Sequence, residues 1–172
     1  MTDVLVISGP AGVGKSVTAF EVSHRLQRAE MDHVLIDTDE LDRIYPVPDD
    51  LSAVTERNLA AMWQTFAARG ARRLILVGVF LDREVELEWA RRAIPDAQFT
   101  CIRLLASDST LTERVHRREL GSDRDDQLER TRRQVVKIDA DRREGITSIA
   151  TDGRDLGDIA AEILAIWPDG PR

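Results

Sequence analysis

Val4-Leu5-Val6-Ile7-Ser8-Gly9-Pro10-Ala11-Gly12-Val13-Gly14-Lys15-Ser16 is an apolar run that ends in the octet GPAGVGKS. The short aliphatic stretch reads as a buried strand over residues 3–7, and a helix is expected from Lys15 to about residue 29. Gly9, Gly14, Lys15 and Ser16 satisfy GxxxxGKS in a strand-loop-helix setting, which gives the match physical content beyond its letters. Gly9, Gly12 and Gly14 permit close backbone approach, so successive amides and the helix start can surround anionic oxygens. Lys15 can reach terminal phosphates and the Ser16 hydroxyl can bind magnesium. Pro10 removes one amide donor and stiffens the loop without touching the Gly14-Lys15 pair. The expected nucleotide contacts are therefore Gly9, Pro10, Ala11, Gly12, Val13, Gly14, Lys15, Ser16 and Val17, with Lys15 also catalytic.

The rest of the chain repeats the strand-helix order. In the first helix Val17, Phe20, Val22 and Leu26 are expected to form the apolar face. Strands are expected at 33–37, 74–79, 99–105 and 147–151, with helices at 53–68, 83–92, 109–120 and 156–167. In the second helix Leu59, Met62, Trp63 and Phe66 lie on compatible turns. Such alternation predicts an α/β fold with a mostly parallel sheet of five strands covered on both faces. Residues 121–145 break the rhythm with a charged segment that includes Arg124, Arg130, Arg132, Arg133 and Lys137. It reads either as a solvated helix pair or as a phosphate-facing lid.

With 172 residues and 42% apolar composition, the chain can bury one substantial core, and no long Pro, Gly or Ser tract marks a linker. A single domain over residues 1–172 is expected. The 31 acidic and 24 basic side chains leave a formal charge of -7, which discourages nonspecific nucleic-acid binding. Cys101 is the single cysteine, so no intrachain disulfide or four-cysteine zinc site can form. No stretch approaches the roughly 20 apolar residues of a membrane span. The start MTDVLVISGP lacks a secretory pattern, and a cytoplasmic location is expected.

A second group of oxygens follows the second strand as Asp37-Thr38-Asp39. At the carboxyl end of a parallel strand these side chains enter the crevice that receives the phosphates. Asp37 is assigned chiefly to the metal environment with Ser16, and Asp39 to substrate positioning or general-base work. Helix capping by Asp39 is the alternative.

The combination GPAGVGKS, LIDTDEL, LTERVHRRE and TDGR resembles the small P-loop kinase superfamily, especially the gluconate, shikimate and adenylylsulfate kinase-like group of AAA-type small-molecule kinases. The resemblance spans nearly the whole chain. It implies the sheet order 2-3-1-4-5, a helical lid here expected around 114–145, ATP with Mg²⁺, and transfer of the terminal phosphoryl group to a substrate hydroxyl or phosphate. It also implies Arg114 beside the adenine ring, Arg117 or Arg118 as a lid arginine near the phosphates, and the Thr151-Arg154 loop, with Arg154, at the base. Arginine chemistry suits these places because its flat cation stacks on rings and grips phosphates in two-pronged fashion. Surface pairing with Glu113 and Glu119 is the alternative for the helix arginines, and an ordinary turn into an Asp155-capped helix is the alternative for the side chains of the loop. The resemblance favours ATP over GTP, and no NKxD or TKxD string opposes it.

The acceptor side carries Arg43 and Tyr45 after the acidic segment, then Arg57 and Asn58 on the next helix. Arg43 and Arg57 suit an anionic acceptor, while Tyr45 and Asn58 read more readily as surface or capping groups. Trp63, Trp89 and Trp167 are expected to pack, and His24, His33 and His116 form no metal pattern. The strand LILVGVF ends without an immediate acid, which disfavours a motor ATPase and places more weight on Asp37. Asp82 follows as a helix cap or a substrate-side group. The expected function is ATP-dependent phosphorylation of a polyol, sugar acid or related metabolite. A nucleotide or nucleoside kinase and a non-catalytic nucleotide-binding regulatory module are the alternatives, and the chain is a monomer or a homodimer.

Overall fold

The central strand β1 (Thr2–Ser8) is flanked by parallel neighbours on both sides, and Val4, Leu5, Val6 and Ile7 are all 0–1% exposed. A strand with apolar side chains on both faces belongs where both faces are covered. The computed structural model describes residues 1–80, 87–118 (Arg118 in backbone only), 129, 131–136 and 145–168. Its remaining strands are β2 (Val34–Asp37), β3 (Arg73–Val77), β4 (Ala97–Leu105) and β5 (Ile146–Ala150). All pairings are parallel and the order is β2-β3-β1-β4-β5, the order that the resemblance implied.

The helices are α1 (Lys15–Arg28), α2 (Leu51–Ala67), α3 (Glu88–Ala93), α4 (Asp108–Arg118) and α5 (Leu156–Ile166), and residues 131–136 are also helical. Strand alternation divides the core in two. Leu5 and Ile7 join Val22, Leu26 and Ile163 beneath α1 and α5, while Val4 and Val6 join Leu59, Trp63 and Ala90 beneath α2 and α3. Every expected strand is present within two residues of its expected bounds. The expected 83–92 helix is described only from Glu88, and Asp82 lies outside the described residues.

Two helix faces differ from expectation. Val17 and Phe20 are 55% and 64% exposed, and the buried stripe of α1 is Ala19, Val22 and Leu26 with Thr18 and Ser23. Steps of three and four from Ala19 define a face that residues 17 and 20 do not share. On α2, Leu59 and Trp63 are buried one turn apart, whereas Met62 is left at the rim. The tryptophans pack as expected: Trp63 and Trp167 are buried, and Trp89 stacks on Phe80 at 6.1 Å between ring centroids. His33 is structural, bonded to Ser23 Oγ at 2.7 Å and to Met31 O at 2.9 Å.

The acidic loop is tied to α2 by polar contacts. Asp50 caps the helix by accepting from Ala53 N at 3.1 Å, and the Ser52 hydroxyl, then that amide, hold its carboxyl below the usual value. Asn58 Nδ2 donates to Leu41 O at 2.6 Å and Thr55 Oγ1 to Asp42 Oδ2 at 3.2 Å, which anchors the segment after β2. Arg92 grips Glu56 through Nε and Nη2 at 3.0 and 2.8 Å, joining α3 to α2.

Candidate functional site

β1 delivers the glycine loop at its carboxyl end, in the middle of the sheet. Gly9 has φ 146° and lies so close to β4 that a Cβ would come within 2.6 Å of Leu104 O. Backbone cannot yield as a side chain can, so the position accepts only glycine. Gly14 takes a left-handed conformation (φ 103°, ψ 21°) as the cap residue of α1. The first-turn amides of α1 begin at the loop's end and lack intrahelical acceptors, and the helix dipole there favours an anion. Pro10 O accepts from Lys15 Nζ at 3.2 Å and from Val13 N at 3.3 Å, which lays the Lys15 side chain back over the loop.

The two oxygen groups expected to meet do meet. Ser16 Oγ donates to Asp37 Oδ2 at 3.2 Å, bringing the first turn of α1 to the end of β2. Asp37 also accepts from Asp39 N through Oδ1 at 3.1 Å and so caps the short 3₁₀ turn Thr38–Glu40. The capping role that Asp39 had been an alternative for therefore falls to Asp37, and the Asp39 side chain stays exposed. A hydroxyl and a carboxylate are both hard oxygen donors, which fits a magnesium-sized dication that keeps part of its shell for phosphate and water. Among the described residues no group of three or more His, Cys, Asp or Glu side chains converges on a metal position.

The residue that follows β3 is Gly78, not an acid. The register Asp37↔Val77 sets Thr38 next to Gly78, where a Cβ would lie 2.2 Å from Thr38 Oγ1. Close contact with the acidic turn leaves no room for a carboxylate at that position.

On the opposite flank of the loop, Arg114 of α4 ties three segments together. Its Nη1 donates to Val13 O at 2.9 Å and to Thr151 Oγ1 at 3.1 Å, and its Nη2 to Thr151 O at 3.4 Å. Arg114, Arg154, Val13, Val17, Thr151 and Leu156 line a cleft of about 260 Å³ beside α1. Its apolar walls and two guanidinium planes suit a flat heterocycle. Exposure of Val17, unexpected for a core helix, follows from its place on this wall. Arg154 is itself held by Glu162 at 2.7 Å and by Ala150 O at 3.3 Å.

Asp152, two residues before Arg154, is committed to the segment that leads into α4. Its carboxylate accepts from Ser107 N at 3.0 Å and Ser107 Oγ at 2.8 Å, joining the loop after β5 to the start of α4. The Thr110 hydroxyl, then the Ser107 amide and hydroxyl, hold its carboxyl down at about 2. Asp155 caps α5, as the sequence suggested, by accepting from Gly157 N at 2.7 Å.

The remaining expected residues are not gathered at the loop by contacts of their own. Arg117 is exposed and pairs with Glu113 at 2.6 Å, the surface alternative. The Arg118 side chain, and most of the expected lid at 114–145, lie outside the described residues. Arg43 is exposed and pairs with Glu40 at 2.9 Å, Arg57 is exposed, and Tyr45 is 94% exposed. Gln134 was not anticipated: its Oε1 accepts from Ala11 N at 2.8 Å. Nothing in the string RTRRQVV singles it out, since its partner is 123 positions away.

The AAA domain family matches residues 4–143. The fold is also that of solved P-loop kinase structures. A gluconokinase from Sinorhizobium meliloti 1021 is 22% identical, with 95% of this chain and 90% of that one covered at a TM-score of 0.62. A tunicamycin resistance protein from Deinococcus radiodurans is 18% identical, with coverage of 96% and 95% at 0.65. A shikimate kinase from Acinetobacter baumannii, in complex with shikimate, is 16% identical, with coverage of 95% and 91% at 0.58. No curated protein matches the sequence. No helix among the described residues is long and apolar enough to cross a membrane.

Proposed function

The chain belongs to the AAA domain family, and from that premise we propose that it transfers the terminal phosphoryl group of ATP to a hydroxyl of a small metabolite such as a polyol or sugar acid. The observation that carries this reading is the meeting of Ser16 with Asp37 at the mouth of the glycine loop, two residues before the exposed carboxylate of Asp39. A site for phosphate binding alone needs the loop and a cation. An accessible carboxylate beside them is what transfer to a hydroxyl adds.

Each role follows from chemistry already described. The loop amides and Lys15 hold the donor's phosphates, and the cleft bordered by Arg114 and Arg154 takes the adenine. Ser16 and Asp37 would hold Mg²⁺, which when bound supplies charge neutralisation on the phosphates. Asp39 orients the acceptor hydroxyl and takes its proton as the new O–P bond forms and the bond between the γ-phosphorus and the bridging oxygen breaks. Arg117 or Arg118 neutralises charge on the departing phosphates, which requires Arg117 to exchange Glu113 for phosphate. Arg43 and Arg57 lie on the acceptor side and suit an anionic acceptor. The likeness to a gluconokinase and a shikimate kinase supports a hydroxyl-bearing acid as the acceptor class.

A mass-resolved transfer assay against a chemically broad acceptor library, run with ATP and GTP in parallel, tests the reading. Phosphorylation of polyols or sugar acids with ATP is the expected result. Transfer to nucleotides alone overturns the acceptor class, and tight MgATP binding with no transfer to any acceptor favours a regulatory module.

A further inference from the structure

The glycine loop borrows one of its contacts from a distant part of the chain. The peptide unit between Pro10 and Ala11 is held at both ends: its carbonyl accepts from Lys15 Nζ at 3.2 Å, and its N–H donates to Gln134 Oε1 at 2.8 Å. Gln134 is not a loose surface side chain. It is half-buried in the helical segment 131–136, where Thr131 is 2% exposed and Val135 packs against the core beneath α1 and α5. Arg132 of the same segment lies 3.8 Å from Asp108, at the start of α4.

A carboxamide carries an acceptor and a two-proton donor on one carbon. With Oε1 committed to Ala11, the Nε2 donor remains at the rim of a loop built to hold anionic oxygens. Glutamate would serve Ala11 as well or better, because a carboxylate accepts more strongly. It would also set a negative charge beside the phosphates. Glutamine meets the loop's N–H without that repulsion and adds a neutral donor.

Resting on the phosphoryl-transfer reading above, we propose that Gln134 contacts the terminal phosphoryl group: Oε1 stays on Ala11 N–H while Nε2 donates to a γ-phosphoryl oxygen. The segment 131–136 thereby distinguishes a nucleoside triphosphate from the diphosphate left after transfer.

Calorimetric titration of the full chain with MgADP and with the magnesium complex of a β,γ-imido ATP analogue tests this in wild type, Gln134→Ala and Gln134→Glu. A hydrogen bond to a charged group predicts that Gln134→Ala weakens the triphosphate analogue ~10-fold or more while MgADP changes less than ~3-fold. Gln134→Glu keeps the acceptor for Ala11 and the side chain's volume, so its melting temperature stays near wild type while its loss of triphosphate affinity exceeds that of alanine. Equal losses for both nucleotides, or wild-type triphosphate affinity in Gln134→Glu, would reduce Gln134 to a prop for the loop and overturn the inference with the kinase reading intact. Wild type that binds neither nucleotide overturns the kinase reading itself, and this inference with it.

Discussion

The Ser16 hydroxyl donates to Asp37 Oδ2 at 3.2 Å, joining the first turn of α1 to the end of β2 across 21 positions of sequence. The contact exists because β1 lies mid-sheet and β2 at its edge, with β3 between them. The parallel arrangement ends all three strands on the same side of the sheet, so the loop after β1 and the turn after β2 open into one crevice.

Asp37 serves that contact and the 3₁₀ turn at once, and two substitutions separate the roles. Asp37→Asn keeps an oxygen for Asp39 N–H but removes the charge, so the magnesium concentration for half-maximal transfer should rise ~10–100-fold with the melting temperature nearly unchanged. Asp37→Ala also loses the cap, at about 1 kcal/mol in denaturant unfolding. An unaltered magnesium requirement in Asp37→Asn confines Asp37 to the turn.

Asp39 is exposed and its side chain caps nothing. Asp39→Asn should therefore fold normally and bind MgATP within a few-fold of wild type, while kcat falls ~10²–10⁴-fold, the usual range for losing a general base. Unchanged turnover removes Asp39 from both base and positioning roles.

Arg114 holds two buried residues, Val13 and Thr151, through three hydrogen bonds. Arg114→Ala leaves their carbonyls without this donor and should cost ~1–3 kcal/mol in urea unfolding. Lysine cannot reproduce a forked donor, so Arg114→Lys should recover only part of the loss. Because the same side chain borders the cleft, both variants should also show less stabilisation by added MgATP. Full stabilisation by nucleotide would mean that Arg114 braces the loop without meeting the base.

Gly78→Ala would place a methyl 2.2 Å from Thr38 Oγ1 and 3.2 Å from Thr38 Cγ2. Overpacking of this kind costs ~1–3 kcal/mol. Thr38→Ala removes both Thr38 atoms and leaves Phe80 Cε2 at 3.0 Å, so the double variant should recover part of the loss and be more stable than Gly78→Ala alone. A double-mutant cycle from urea unfolding with additive single effects would refute the contact.

Asp152 sets an acid dependence. Its carboxyl lies at about 2 in the folded chain against an ordinary 3.8, so its hydrogen bonds contribute stability that is fully present above the ordinary value. That contribution fades as pH falls through about 2. The group is exposed, and solvent screening keeps the effect small. Asp152→Asn should lower the urea midpoint at neutral pH, and its gap from wild type should narrow towards pH 2. A gap independent of pH would assign the loss to packing.

Local chemistry was legible where it repeats locally. The GPAGVGKS loop, the strand bounds and the Asp155 cap follow from residue order alone, because glycine placement, apolar runs and capping act within a few residues. The α1 face was harder to read: Val17 and Phe20 are apolar, yet three- and four-residue steps from Ala19 leave them outward, with Val17 on the wall of a cleft. Asp37 and Asp39 were both legible as candidate site acids, but which of them caps was decided by the turn after β2, where the Asp39 amide donates to Asp37 Oδ1.

By itself, the sequence determined that this chain would carry a glycine-rich loop between its first strand and first helix, and acids after its second strand. Those properties depend on spacing along the backbone. Tertiary structure alone decided that Arg114 would brace the loop against Thr151, that Gly78 would lie against Thr38, and that Gln134 would reach Ala11. Each joins segments brought together by sheet order and helix packing, and no local periodicity encodes which distant partner a side chain meets.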